Sequence, residues 1–145
     1  LGHGSLISHI NIQQPDGDKN IAIGYQAMRS DTSGIDNTAI GAYSLAGNRS
    51  GTSNIALGSF TLQSNTLGNS NVAIAPEALR ANKKGSNNIA IGVGSLFNNT
   101  TGINNIALGS NALFMGGGNS LFGGGRNNVS IGFESIYRHD FHPAF

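Results

Sequence analysis

Residues 87–102 read NNIAIGVGSLFNNTTG, and the phrase inside them returns along the chain at a fixed interval. Asn20, Asn37, Asn54, Asn71, Asn88 and Asn105 stand 17 residues apart, and Asn128 follows after 17 plus an insertion of 6. Each opens a variant of Asn-(Ile/Val/Thr)-Ala-(Ile/Leu)-Gly, as in Asn20-Ile21-Ala22-Ile23-Gly24 and Asn88-Ile89-Ala90-Ile91-Gly92. A unit this short cannot fold alone. It must bury its apolar side on its neighbours, so a fixed period of this length means stacked coils.

Numbering each coil from its Asn as place 0 turns the chain into rows. Place 1 holds Ile21, Thr38, Ile55, Val72, Ile89, Ile106 and Val129, and place 3 holds Ile23, Ile40, Leu57, Ile74, Ile91, Leu108 and Ile131. These residues are two apart, β-branched or aliphatic, and share one face of a short strand. Between them lie Ala22, Ala39, Ala56, Ala73, Ala90, Ala107 and Ser130 on the opposite face. Place 4 is Gly, except Ala75 before Pro76, and reads as a turn. Place 8 is a second apolar row: Met28, Leu45, Leu62, Leu79, Leu96, Leu113 and Ile136. A polar stretch follows with Asp31, Asn48, Asn65, Asn82 and Asn99 at place 11, closed by Gly at place 14.

These rows predict an all-β chain: a parallel β-solenoid (β-roll) of 17-residue coils over residues 20–137. A helical repeat is disfavoured, because 17 residues with two Gly per period cannot supply two helices. Identical residues would stack about 4.8 Å apart, letting the Asn rows form amide ladders. Places 1, 3 and 8 are expected to fill the inside. That sends the Ala row outward, where its small side chains would suit close self-association. Residues 1–19 read as an N-terminal cap or stalk junction, with Ile10 and Ile12 alternating as a capping strand. Residues 138–145 read as an end cap or tip.

Composition narrows the function classes. The chain has 145 residues, 22 Gly, no Cys, 10% charged residues and a formal net charge of +1. Disulfides and thiolate metal sites are excluded. The overall charge gives no sign of a nucleic-acid partner. No apolar stretch nears the ~20 residues that span a bilayer, so no membrane insertion is expected. The seven acidic residues are scattered, and no Ser-His-Asp or Cys-His set can be singled out, so no enzyme, cofactor or metal site is assigned. The chain opens on Leu1 rather than Met, which suggests a fragment or a processed piece.

The phrase Asn-x-Ala-Ile-Gly, a following Ala/Ser-Leu and the Asn-Thr-Thr-Gly loop resemble repeats of phage tail fibres and phage-derived bacterial fibres. They are also similar to head repeats of YadA-like trimeric autotransporter adhesins. The resemblance covers residues 20 to about 137. It implies a left-handed parallel β-roll assembled as a homotrimer. It also implies an extracellular setting, on a virion tail fibre or a bacterial surface, and binding to a cell-surface glycan or protein. The scaffold does not name the ligand. A purely structural fibre shaft and a polysaccharide-cleaving tailspike-like enzyme are the alternatives.

Recognition is expected where the repeat breaks. The insertion around 114–126 carries Phe114, Met115, Phe122 and Arg126 between Gly runs, to pack on a neighbouring subunit or meet a receptor. The tail adds Tyr137, Arg138, His139, Phe141, His142 and Phe145, aromatic and basic anchors that could equally plug the open end of the stack.

Overall fold

The computed structural model of the protein describes residues 19–115 and 125–136. It is a β-solenoid. Seven three-residue strands form one parallel sheet in chain order: β1 (Ile21–Ile23), β2 (Thr38–Ile40), β3 (Ile55–Leu57), β4 (Val72–Ile74), β5 (Ile89–Ile91), β6 (Ile106–Leu108) and β7 (Val129–Ile131). The register follows the sequence period. Ala22 lies beside Ala39, Ala39 beside Ala56 and Ala56 beside Ala73. The insertion leaves the stacking unchanged, since Ala107 pairs with Ser130.

The strand faces are the reverse of the sequence expectation. The Ala row points inward: Ala39, Ala56, Ala73, Ala90 and Ala107 are all 0% exposed. The Ile, Leu and Val rows at places 1 and 3 point outward, with Ile23 at 49% and Ile131 at 67% exposure. Only the place-8 row behaves as expected, with Leu45, Leu62, Leu79 and Leu96 fully buried. The reason is volume. One circuit of 17 residues encloses a cross-section too thin for aliphatic side chains from both sides. Leu from one wall and Ala from the other share one buried core.

The wall opposite the sheet is made of turns. Residues at places 6 and 8 take left-handed conformations in coil after coil, as in Tyr43 (φ 58°) and Leu45 (φ 49°) or Phe60 (φ 59°) and Leu62 (φ 49°). Non-glycine residues resist this conformation, so something must hold them there. Inter-coil hydrogen bonds do. The Tyr43 N–H donates to the Tyr25 carbonyl at 2.8 Å, and the Leu45 N–H donates to the Thr61 carbonyl at 3.0 Å. Each coil thus bonds to both neighbours through this wall as well as through the sheet.

Glycine at place 4 has a separate cause. A Cβ on Gly41 would lie 2.5 Å from the Gly58 carbonyl carbon, and its φ is +133°. Ala75 occupies this place in the fourth coil at φ 96°. Pro76 then sits at place 5, where Ala42, Ser59, Val93 and Ser110 donate no inter-coil backbone bond, so the missing N–H costs nothing.

Two buried Asn ladders run along the interior. Asn54 Nδ2 donates to Asn37 Oδ1 at 3.0 Å and to the Gly68 carbonyl at 2.8 Å. Its own backbone N–H also donates to Asn37 Oδ1, at 2.9 Å. Asn71, Asn88 and Asn105 repeat the pattern. In the second ladder Asn65 Nδ2 donates to Asn48 Oδ1 and to the same Gly68 carbonyl. A carboxamide suits both rows because its two donors and one acceptor oxygen are all used. Asn99 Oδ1 is buried without a partner among the described residues.

Candidate interaction surfaces

The outward rows of the sheet make a nearly continuous apolar face. Ile21, Ile23, Ile40, Ile55, Ile89, Ile91, Val129 and Ile131 are exposed, and Leu57, Val72, Ile74, Ile106 and Leu108 are half-buried. Thr38 is the one polar residue in the two rows. Seven strands at about 4.8 Å give the face a length of about 29 Å.

A second stripe runs along the turn wall. Tyr25 meets Tyr43 edge-on at 5.4 Å, and Tyr43 stacks on Phe60 at 5.2 Å and 7°. The Arg80 guanidinium lies 5.3 Å from the Phe60 ring centre and 5.6 Å from that of Phe97, and Phe97 stacks on Phe114 at 5.0 Å. Arg80 is fixed between the rings by Gln63 Oε1 and Glu77 Oε1, both at 3.1 Å. The ring pairs each join one coil to the next. The stripe is a brace between coils. The sequence rows do not reveal it, because its members occupy places 5, 6 and 9.

The polar loop edge is the third surface. At place 12, Thr32, Thr66 and Thr100 alternate with Arg49 and Lys83. The Thr32 hydroxyl donates to the Arg49 carbonyl at 2.7 Å and the Thr66 hydroxyl to the Lys83 carbonyl at 2.9 Å. Each of these carbonyls also accepts two backbone N–H groups from the preceding coil. The backbone of the basic residues is thereby pinned while their side chains stay exposed.

Of the residues singled out from sequence, three are described. Phe114 is half-buried and belongs to the aromatic brace. Met115 is exposed, and its sulfur accepts from Asn98 Nδ2 at 3.6 Å. Arg126 is exposed on the loop edge, where its backbone pairs with Ile103. The three do not share one cluster: Phe114 lies on the turn wall and Arg126 on the loop edge. Phe122, Tyr137, Arg138, His139, Phe141 and His142 lie outside the described residues, as do residues 1–18 and the tail. Among the described residues no group of three His, Cys, Asp or Glu side chains is placed to hold a metal ion.

Compared with protein-family models, with curated proteins and with solved structures, the chain matches none, so its surfaces are interpreted from their own chemistry.

Proposed function

We propose that the protein is an extracellular fibre tip or adhesin head that works as a homotrimer. Three rods would pack sheet to sheet along a common axis and present loops and ends to a cell-surface glycan or protein. The observation that carries this reading is the apolar face of β1 to β7, where one-third to two-thirds of the surface of most Ile and Val side chains is in water. Such a face on a thin rod is a packing surface. The contact belongs to the Ile rows; the Ala row, expected from sequence to make it, is sealed inside each coil. Trimerisation would then triple weak sites and raise avidity.

The assembly test is sedimentation of the wild-type chain beside Ile89→Lys with Ile91→Lys. Wild type is expected to sediment as a trimer and the double variant as a folded monomer. A wild-type chain that is a stable monomer overturns the assembly. Recognition is tested by binding of the trimer to target cells, with and without Tyr137→Ala plus Phe141→Ala.

The unbroken in-register stacking of coils two to five favours one second reading, a structural shaft with recognition elsewhere. A shaft predicts a stable trimer that binds no cell at all.

A further inference from the structure

The small net charge conceals an uneven distribution. Among the described residues the loop edge, places 10 to 16 of each coil, carries Asp31 and Asp36 in the first coil, and from the second coil on Arg49, Lys83, Lys84 and Arg126 with no acidic residue. All four side chains are exposed. The one ion pair among the described residues is Glu77 with Arg80, on the turn wall, so the four cations of the loop edge have no acidic partner there.

Arg49 and Lys83 share place 12, Lys84 stands at place 13, and Arg126 stands at place 15, where its backbone pairs with Ile103. Arg49 lies in the second coil, Lys83 and Lys84 in the fourth, and Arg126 in the sixth. Charges therefore recur at every second coil, about 10 Å apart along the rod. The intervening coils carry Thr66, and Thr100 with Thr101, at the corresponding places. The spacing is close to the Debye length at physiological salt, so the cations repel one another little. Exposed or half-exposed hydroxyls and carboxamides flank them, among them Ser50, Ser53, Asn87, Thr101 and Asn104.

From this arrangement we propose that the loop edge binds a linear anionic polysaccharide that carries a carboxylate or sulfate on every second sugar. Its chain would lie parallel to the rod axis. Alternate sugars would place an anion against the cations of the second, fourth and sixth coils, and the neutral sugars between would meet hydroxyl and carboxamide groups. A nucleic acid fits less well: a single strand carries one charge per ~3.4 Å, about three times the density of the cations. The proposal rests on the reading of the protein as a cell-surface recognition module, and gives that module a ligand class and a face.

The test is titration of the full chain with hyaluronate, whose carboxylate falls on alternate sugars, beside neutral dextran and single-stranded polyuridylate. Hyaluronate is expected to bind and dextran not. Binding should weaken as salt rises, because exposed pairs are screened. Arg49→Gln with Lys83→Gln and Arg126→Gln, all at exposed positions, should bind hyaluronate at least tenfold more weakly with unchanged melting temperature. Arg49→Lys with Arg126→Lys should retain binding. No hyaluronate binding, an unaffected triple variant, equal binding of dextran, or tighter binding of polyuridylate each overturns the proposal. Cell binding by the triple variant separates the two levels. If it persists undiminished while wild type ignores hyaluronate, recognition stands and the polyanion face falls. If wild type binds hyaluronate but no cell, the face stands and the cell-recognition reading falls.

Discussion

Asn48 Nδ2 donates to Asp31 Oδ1 at 2.6 Å, one coil before it, at the place where coils three to five have Asn donating to Asn. Asp31 also accepts from Asn20 Nδ2 at 3.3 Å. All amides in this ladder donate towards the N-terminal coil. The described ladder therefore begins on a residue that needs only to accept, and a carboxylate does that. An Asn in the middle must accept from one side and donate to the other.

That polarity makes two exchanges unequal. Asn65→Asp places a buried carboxylate against Asn48 Oδ1 and the Gly68 carbonyl, both acceptors, and should destabilise by about 3–5 kcal/mol. Asp31→Asn keeps an acceptor oxygen for Asn48 and should cost under about 1.5 kcal/mol. Urea unfolding of the two variants checks the ratio; similar losses would mean that the ladder direction does not matter.

The inverted faces set a second contrast. Leu62 is 0% exposed, and Leu62→Ala should cost about 2–5 kcal/mol at any protein concentration. Ile55, 40% exposed, faces out, and Ile55→Ala should cost under about 1 kcal/mol in the isolated chain. Its larger effect should appear in the concentration dependence of assembly, read by sedimentation.

Ala90→Leu should unfold the coil rather than disturb a subunit contact. Ala90 is 0% exposed and lies between Ala73 and Ala107 in the sheet. Three extra carbons in that space strain the core by about 1–3 kcal/mol or more. A lower melting temperature at dilutions where the chain is monomeric would verify this.

Ala75 holds φ 96°, in the row where other coils have Gly. Ala75→Gly should stabilise by about 1 kcal/mol by removing a Cβ from a left-handed backbone. A rise in melting temperature is the expected result.

Arg80 braces two rings and two side-chain oxygens across several coils. Arg80→Ala should cost about 1–2 kcal/mol, the sum of exposed cation–π and hydrogen-bonding terms. Calorimetry of Arg80→Ala beside Arg80→Lys would show whether the planar guanidinium is required, since an ammonium cannot stack on two faces.

The 17-residue phase by itself determined the coil, the parallel in-register sheet and the Asn ladders, because a residue such as Ala56 pairs with those 17 before and 17 after it. Strand alternation also followed, with Asn54 and Ala56 on one side and Ile55 and Leu57 on the other. Which side is interior did not follow. Hydrophobicity ranks Ile above Ala, but burial depends on the space enclosed, and the turn wall takes up that space by seating Leu62 in the same core as Ala56. The Tyr43–Phe60–Arg80–Phe97 brace was likewise hidden, since left-handed residues at two places of each turn wall fold different rows onto one edge. Period is a property of the chain and can be counted; inside and outside are properties of a closed cross-section, and exist only once the coil has closed.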